Sequence, residues 1–107
     1  MRIELVSPGP CKKQKIVISK LPAILGRGPD AAAHVDDSWV RQYQCMLEEI
    51  DGVLFVWDLG SRLGTFVNGR RITKGPVAPG DILTVGKTDL VVYYQRQPEA
   101  CLAPAAG

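Results

Sequence analysis

The sequence predicts an all-β fold of short antiparallel strands, a sandwich or a barrel. Three observations carry this. The apolar residues come in short runs broken by turn signals, and Val, Ile, Thr, Phe and Tyr fill those runs, as strands prefer. Two dipeptides, Asp51-Gly52 and Asn68-Gly69, sit between such runs. Type I′ hairpin turns need positive φ at both central residues, and these pairs tolerate it. No segment sustains a helical period with caps.

In chain order, "RIELV" ends at "SPGP", and "KIVISK" leads to "AILG" and then "RGPD". "AAAHVDD" contains helix-forming alanines, but it is short and lies between Pro29 and two aspartates, so no helix is expected there. "QCMLEEI" and "VLFVWDL" flank Asp51-Gly52 as a hairpin. Trp57, within the second run, is expected in the core. "FVNGRRI" forms a second hairpin around Asn68-Gly69. Arg70-Arg71 and Lys12-Lys13-Lys15 read as solvated faces of a hairpin and a strand. "ILTVG" follows Pro79-Gly80-Asp81, and "DLVVYYQ" closes the ordered part. Beyond it Ala and Pro dominate and periodicity stops. The expected organisation is one domain over residues 1–96 and an Ala/Pro-rich tail or linker over 97–107.

Composition narrows the function. A chain of 107 residues builds one domain, and its 46% hydrophobic content allows a sizeable core. The net charge of +2 lacks the strongly basic footprint of a nucleic-acid binder. No apolar run is long enough to span a bilayer. "MRIELVSPGP" has no apolar signal core, so a cytoplasmic setting is expected. Cys11, Cys45 and Cys101 are odd in number and far apart, which argues against a disulfide framework. With His34 they lack the close ligand pairs of a zinc site, so neither metal nor cofactor is expected. Cys45 reads as a small core residue and Cys101 as part of the tail. His34, Ser38 and Asp36 or Asp37 make a triad only on paper, without a nucleophile elbow or an oxyanion signature, so no enzyme is expected.

At "LGRGPD", then "DLGSRLGTFVNG", then "GDILTVG", the sequence resembles a forkhead-associated (FHA) domain. The match runs from about Ile3 to Gln95. Its ordered markers are Gly26-Arg27, Asp36-Asp37, "DLGS", "GTFVNG" and a "GD" ahead of the last strand pair. The resemblance implies an FHA-like two-sheet β-sandwich of the SMAD/FHA type. Loops at one end of it would form a phosphothreonine-peptide site.

The resemblance also implies roles residue by residue. Arg27 matches an arginine that contacts phosphate or supports the binding loop, and a guanidinium matches phosphate oxygens with a fork of donors. In "DDSWVRQYQC", aligned through Val40 and Leu47, Arg41 stands where the family has a phosphate-binding serine. Gln44 stands where it has a loop-bracing histidine, and an amide with donor and acceptor still suits bracing. Leu63 stands where an asparagine holds the peptide backbone, and leucine has no hydrogen bond to offer. Arg62 precedes it in place of a smaller polar residue. Gly64 permits a tight backbone path. Thr65 and Asn68 hold the loop and its hairpin. The loop-structural members, Gly26, Gly64, Thr65, Asn68 and Gly69, are thus kept. Among the loop residues expected to face a partner, Arg27, Trp39, Arg41, Gln42, Gln44, Arg62 and Leu63, the ligand-reading ones have changed.

Two functional expectations follow. One is a protein-recognition module of a signalling or scaffold protein, with phosphothreonine readout weakened or lost. In it Trp39 and Leu63 form an apolar patch for a protein or phosphoprotein partner. The alternative is an active phosphopeptide-binding domain whose anion site is Arg27, Arg41 and Arg62.

Overall fold

The computed structural model describes residues 1–8 and 14–95. These form strands β1 (Ile3–Val6), β2 (Lys15–Ile18), β3 (Ala23–Gly26), β4 (Ala33–His34), β5 (Cys45–Ile50), β6 (Val53–Asp58), β7 (Thr65–Val67), β8 (Arg70–Ile72), β9 (Lys74–Val77), β10 (Ile82–Val85) and β11 (Thr88–Tyr94). One sheet has the order β2-β1-β11-β10-β7-β8, and the other β4-β3-β5-β6-β9. The fold is an all-β two-sheet sandwich, and no helix occurs among the described residues. One short pairing departs from the antiparallel pattern: β4 runs parallel to β3, Leu25 opposite Ala33. No helix of the described residues is long and apolar enough to cross a membrane.

The hairpins form where the turn dipeptides stand. Asp51 and Gly52 have φ of 52° and 80°, and Asn68 and Gly69 have 53° and 80°. Alternation then sorts side chains between core and surface. Ile3, Leu5, Leu25, Leu47, Leu54, Val56, Leu83, Val85, Leu90 and Val92 are fully buried between the sheets. Each such burial stabilises by roughly 1.5–3 kcal/mol. Tyr94 ties the sheets together, its hydroxyl donating to the Val77 carbonyl and accepting from the Leu54 amide.

The same alternation corrects the expectation for Trp57. With Leu54 and Val56 directed inward, Phe55 and Trp57 must point outward. Trp57 is half-buried on the outer face, where its Nε1 donates to Glu48 at 2.8 Å and Lys74 Nζ lies 4.2 Å from the ring centre. Cys45 is buried as expected. Lys15 is an exposed strand residue 3.6 Å from Glu4. Cys11, Cys101, Lys12, Lys13 and the tail fall outside the described residues.

Strand direction brings the β3–β4, β4–β5 and β6–β7 loops and the β10–β11 turn to one end of the sandwich. Backbone bonds from Arg27 N to Arg41 O (2.9 Å) and from Leu59 N to Gln44 O (3.0 Å) join three of them.

Candidate functional site

The β6–β7 loop is organised by one carboxylate. Asp58 ends β6, and the turn "DLGS" folds back onto it. Asp58 Oδ2 accepts from the amides of Gly60 (3.1 Å) and Ser61 (3.2 Å). Oδ1 accepts from the hydroxyls of Ser61 (2.6 Å) and Thr65 (2.7 Å). Partial burial on its own would raise the Asp58 pKa. The hydroxyls of Ser61 and Thr65, with the Ser61 and Gly60 amides, outweigh it and hold the carboxyl below its ordinary value. Gly60 has a φ of 80° in this turn.

Gln44 couples that loop to the β4–β5 loop. It is 1% exposed, and its Nε2 donates to Gly64 O and to Thr65 Oγ1, each at 3.1 Å. Its Oε1 accepts from the Arg41 amide at 3.1 Å. The side chain therefore braces the loops with both ends of its amide. A bonded chain runs from Gln44 through Thr65 to Asp58 and Ser61.

Arg27 lies along the β4–β5 loop. Its Nε donates to Val40 O at 3.1 Å, which leaves its terminal amino groups directed to no partner among the described residues. The approach is close because Gly26 has no side chain, and a Cβ there would fall on the Gln42 carbonyl. Arg27, Gly28, Pro29 and Gln42 line a shallow groove of about 250 Å³. Arg41 and Gln42 are exposed on the loop that borders it.

Trp39, 54% exposed, is held at its backbone: Asp37 Oδ1 accepts the Trp39 amide at 2.7 Å. Asp37 Oδ2 also accepts Lys87 N and Thr88 Oγ1, so the β4–β5 loop is fastened to the β10–β11 turn. Burial pulls the Asp37 pKa upward, and bonds from Thr88, Trp39 and Lys87 with the Lys87 charge bring it below the ordinary value. Lys87 Nζ lies 4.5 Å from the Trp39 ring centre, within cation–π range. Leu63 and Arg62 are exposed on the β6–β7 loop.

Arg27, Arg41 and Arg62 thus stand on neighbouring loops, and Trp39 and Leu63 are exposed at the same end. Gly26 makes a close approach to the Gln42 backbone, Gly64 makes one to the Arg71 side chain, and Gly69 completes its hairpin turn. Asn68 Oδ1 accepts the Ile82 amide at 2.9 Å, holding the distal hairpin away from the site. His34 is exposed on β4, and the Asp37 carboxylate is committed to Trp39, Lys87 and Thr88.

Two structural hubs and one cation escaped the sequence reading. Asp37 and Asp58 were legible only as motif letters, although an aspartate followed by glycine and serine signals a turn closed by the side chain. The sequence places Arg71 on a solvated hairpin face. It is exposed, but its side chain extends over Gly64, where an added Cβ would meet Arg71 Nε at 2.6 Å. No carboxylate oxygen lies within 4.0 Å of Arg27, Arg41, Arg62 or Arg71 among the described residues.

The FHA domain family model matches residues 23–86. The chain is 30% identical over 87 residues to the glycogen accumulation regulator GarA of Mycolicibacterium smegmatis, covering 81% of this chain and 55% of that protein. It is 29% identical to an oxoglutarate dehydrogenase inhibitor of Corynebacterium diphtheriae, covering 81% and 61%. The chain therefore spans little more than half the length of these relatives. Among solved structures, an FHA domain from Chlamydia trachomatis superposes with a TM-score of 0.78 at 19% identity, over 89% of this chain and 99% of that one. The yeast Dun1 FHA domain, in complex with a doubly phosphorylated peptide, gives 0.73 at 22%, over 95% and 80%.

Proposed function

This chain belongs to the FHA domain family, and we propose that it is a recognition module whose loop end holds a partner protein with weakened dependence on phosphothreonine. FHA domains are phosphopeptide-binding interaction modules rather than enzymes. The observation that carries the finer reading is a split within the site. The frame is bonded throughout, by Gln44, Thr65, Asp58 and Ser61. The two positions that would read the ligand hold Arg41 and Leu63. Arg41 has no hydroxyl for the phosphate, and Leu63 has no amide for the peptide backbone. Exposed Trp39 and Leu63 supply apolar contact in their place. The domain of residues 1–96 serves a larger signalling or scaffold protein through the tail that follows.

A second reading is favoured by one observation: Arg27, Arg41 and Arg62 have no carboxylate partner among the described residues. Three guanidinium groups on adjoining loops, none paired with a carboxylate among the described residues, offer a phosphate charge-assisted bonds without any serine. Titration with a phosphothreonine peptide library, against unphosphorylated copies, separates the two. The first reading expects similar affinities for both sets. Tight binding confined to the phosphorylated set establishes the second.

A further inference from the structure

We propose that Arg71 is a specificity-determining residue of this site, and that the partner segment carries an acidic side chain that pairs with it beside Leu63. The inference rests on the reading that the loop end holds a peptide.

Arg71 lies on β8, opposite Phe66 in the β7–β8 ladder. Residues opposite one another share a face, and Gly64 shares the face of Phe66 because it is two positions away. Arg71 leans diagonally from Phe66 onto Gly64. A Cβ on Gly64 would lie 2.6 Å from Arg71 Nε, 3.0 Å from Cζ and 3.2 Å from Cδ. The absent side chain is what lets the guanidinium settle there. The surface beneath it is fixed, because Gln44 Nε2 holds the Gly64 carbonyl. The cation is therefore placed against the recognition loop, one residue from exposed Leu63 and two from Arg62.

Among the described residues its fork has no carboxylate partner. Three carboxylates of the loop end are bonded to other donors: Asp58 to Ser61 and Thr65, Asp37 to Trp39, Lys87 and Thr88, and Asp30 to Tyr43 at 2.8 Å. A segment that contacts Leu63 passes within reach of a free planar donor pair, which suits a carboxylate or a second phosphate. Charge complementarity selects an acidic peptide as the occupant.

Arg70 supplies the control. It is adjacent in sequence and equally charged, yet it lines a separate groove with Val67, Asn68 and Lys74. Arg71→Gln and Arg70→Gln remove the same charge, so a difference between them reports position rather than net electrostatics. The experiment measures fluorescence anisotropy of two peptide pools, with a central phosphothreonine or threonine, each in versions rich in Asp and Glu or in Asn and Gln. The expected result is that the native domain prefers the acidic versions. Arg71→Gln should weaken those by about tenfold, and Arg70→Gln by less than about twofold. Arg71→Lys keeps the charge without the fork and should fall between. Loss in the versions rich in Asp and Glu, with the central residue phosphorylated or not, assigns a carboxylate and supports the proposal. An acidic preference that survives Arg71→Gln, or equal losses in both variants, overturns it while leaving the peptide site standing. Failure of the native domain to bind any pool overturns both. Thermal melts of the variants confirm that they are folded, and Arg71→Lys carries the test if Arg71→Gln is not.

Discussion

Gln44 Nε2 lies 3.1 Å from Thr65 Oγ1, and this contact joins two loops that are 21 residues apart in sequence. The Thr65 hydroxyl accepts that bond and donates one of its own to Asp58 Oδ1. Both side chains are almost fully inaccessible to water. A buried polar group that loses its partner costs about 1–3 kcal/mol. The brace is therefore a stability element as well as a site element.

Gln44→Ala should lower unfolding free energy by about 2–3 kcal/mol, since it strands the Gly64 carbonyl and the Arg41 amide inside the loop frame. Urea denaturation followed by tryptophan fluorescence checks this. Gln44→His, which restores the residue type that the family pattern expects, should recover much of the loss.

Asp58 and Asp37 predict acid sensitivity. Both carboxyls are held below their ordinary value of 3.8 by hydrogen bonds that favour the charged form. A group with a depressed folded pKa contributes stability that is present above the unfolded pKa and lost as pH falls through the folded one. Stability should thus be steady from neutral pH to near 5 and decline below about pH 4. Asp58→Asn should be less stable than the native domain at pH 7 and lose less on acidification. Urea midpoints at pH 7, 5 and 3 measure both slopes, and parallel slopes would remove Asp58 as a cause.

Cys45 should be inert in the native state. Burial, with the nearby Asp58 charge, pushes its thiol up to about 12 despite a bond from Thr65 that works the other way. Thiolate is the reactive form, so almost none is present at pH 8. In a Cys11→Ser, Cys101→Ser background, alkylation by iodoacetamide should be slow until urea unfolds the domain. Rapid labelling without denaturant would show that the β5–β6 end of the core opens readily.

These residues also show what the sequence made legible. Asp51-Gly52 and Asn68-Gly69 are local signals, because positive φ at two successive residues is a demand few pairs meet, and both turns fall there. Trp57 misled because apolarity says that a strand residue packs, while only parity with Leu54 and Val56 says on which side. Gln44 was readable as a brace, since a motif fixed its place and its amide fixed its chemistry. Arg71 was not readable. Its contact with Gly64 is a diagonal across a ladder, so it depends on register and on a missing Cβ, neither of which a run of letters displays. The parallel β3–β4 pairing was hidden for the same reason, as it joins segments without a hairpin signal between them.

The restoration variant tests the reading of the site most directly. Arg41→Ser supplies the hydroxyl that the family pattern places against phosphate, and Leu63→Asn supplies the amide that holds the peptide backbone. Each regained bond to a charged or buried partner is worth roughly 1.5–3 kcal/mol, so the pair should raise phosphothreonine-peptide affinity by two or more powers of ten. Free arginines offset part of the original loss, because charge-assisted bonds are about twice as strong as neutral ones. Arg41 cannot reproduce the geometry of a short serine, however, and its backbone amide is already tied to Gln44. That tie works in favour of the experiment, since it fixes the main chain on which the new serine would sit. Calorimetric titration of one phosphorylated peptide and its unphosphorylated copy, against the native domain and the double variant, gives the answer. A gain confined to the phosphorylated peptide supports an intact scaffold with altered readers. Tight phosphate-dependent binding by the native domain, lost on Arg41→Ser, establishes the arginine site instead. No gain at all means that the frame around Gln44 holds the loops in a geometry that phosphothreonine does not fit, and the weakened readout then lies in the backbone rather than in the two substituted side chains.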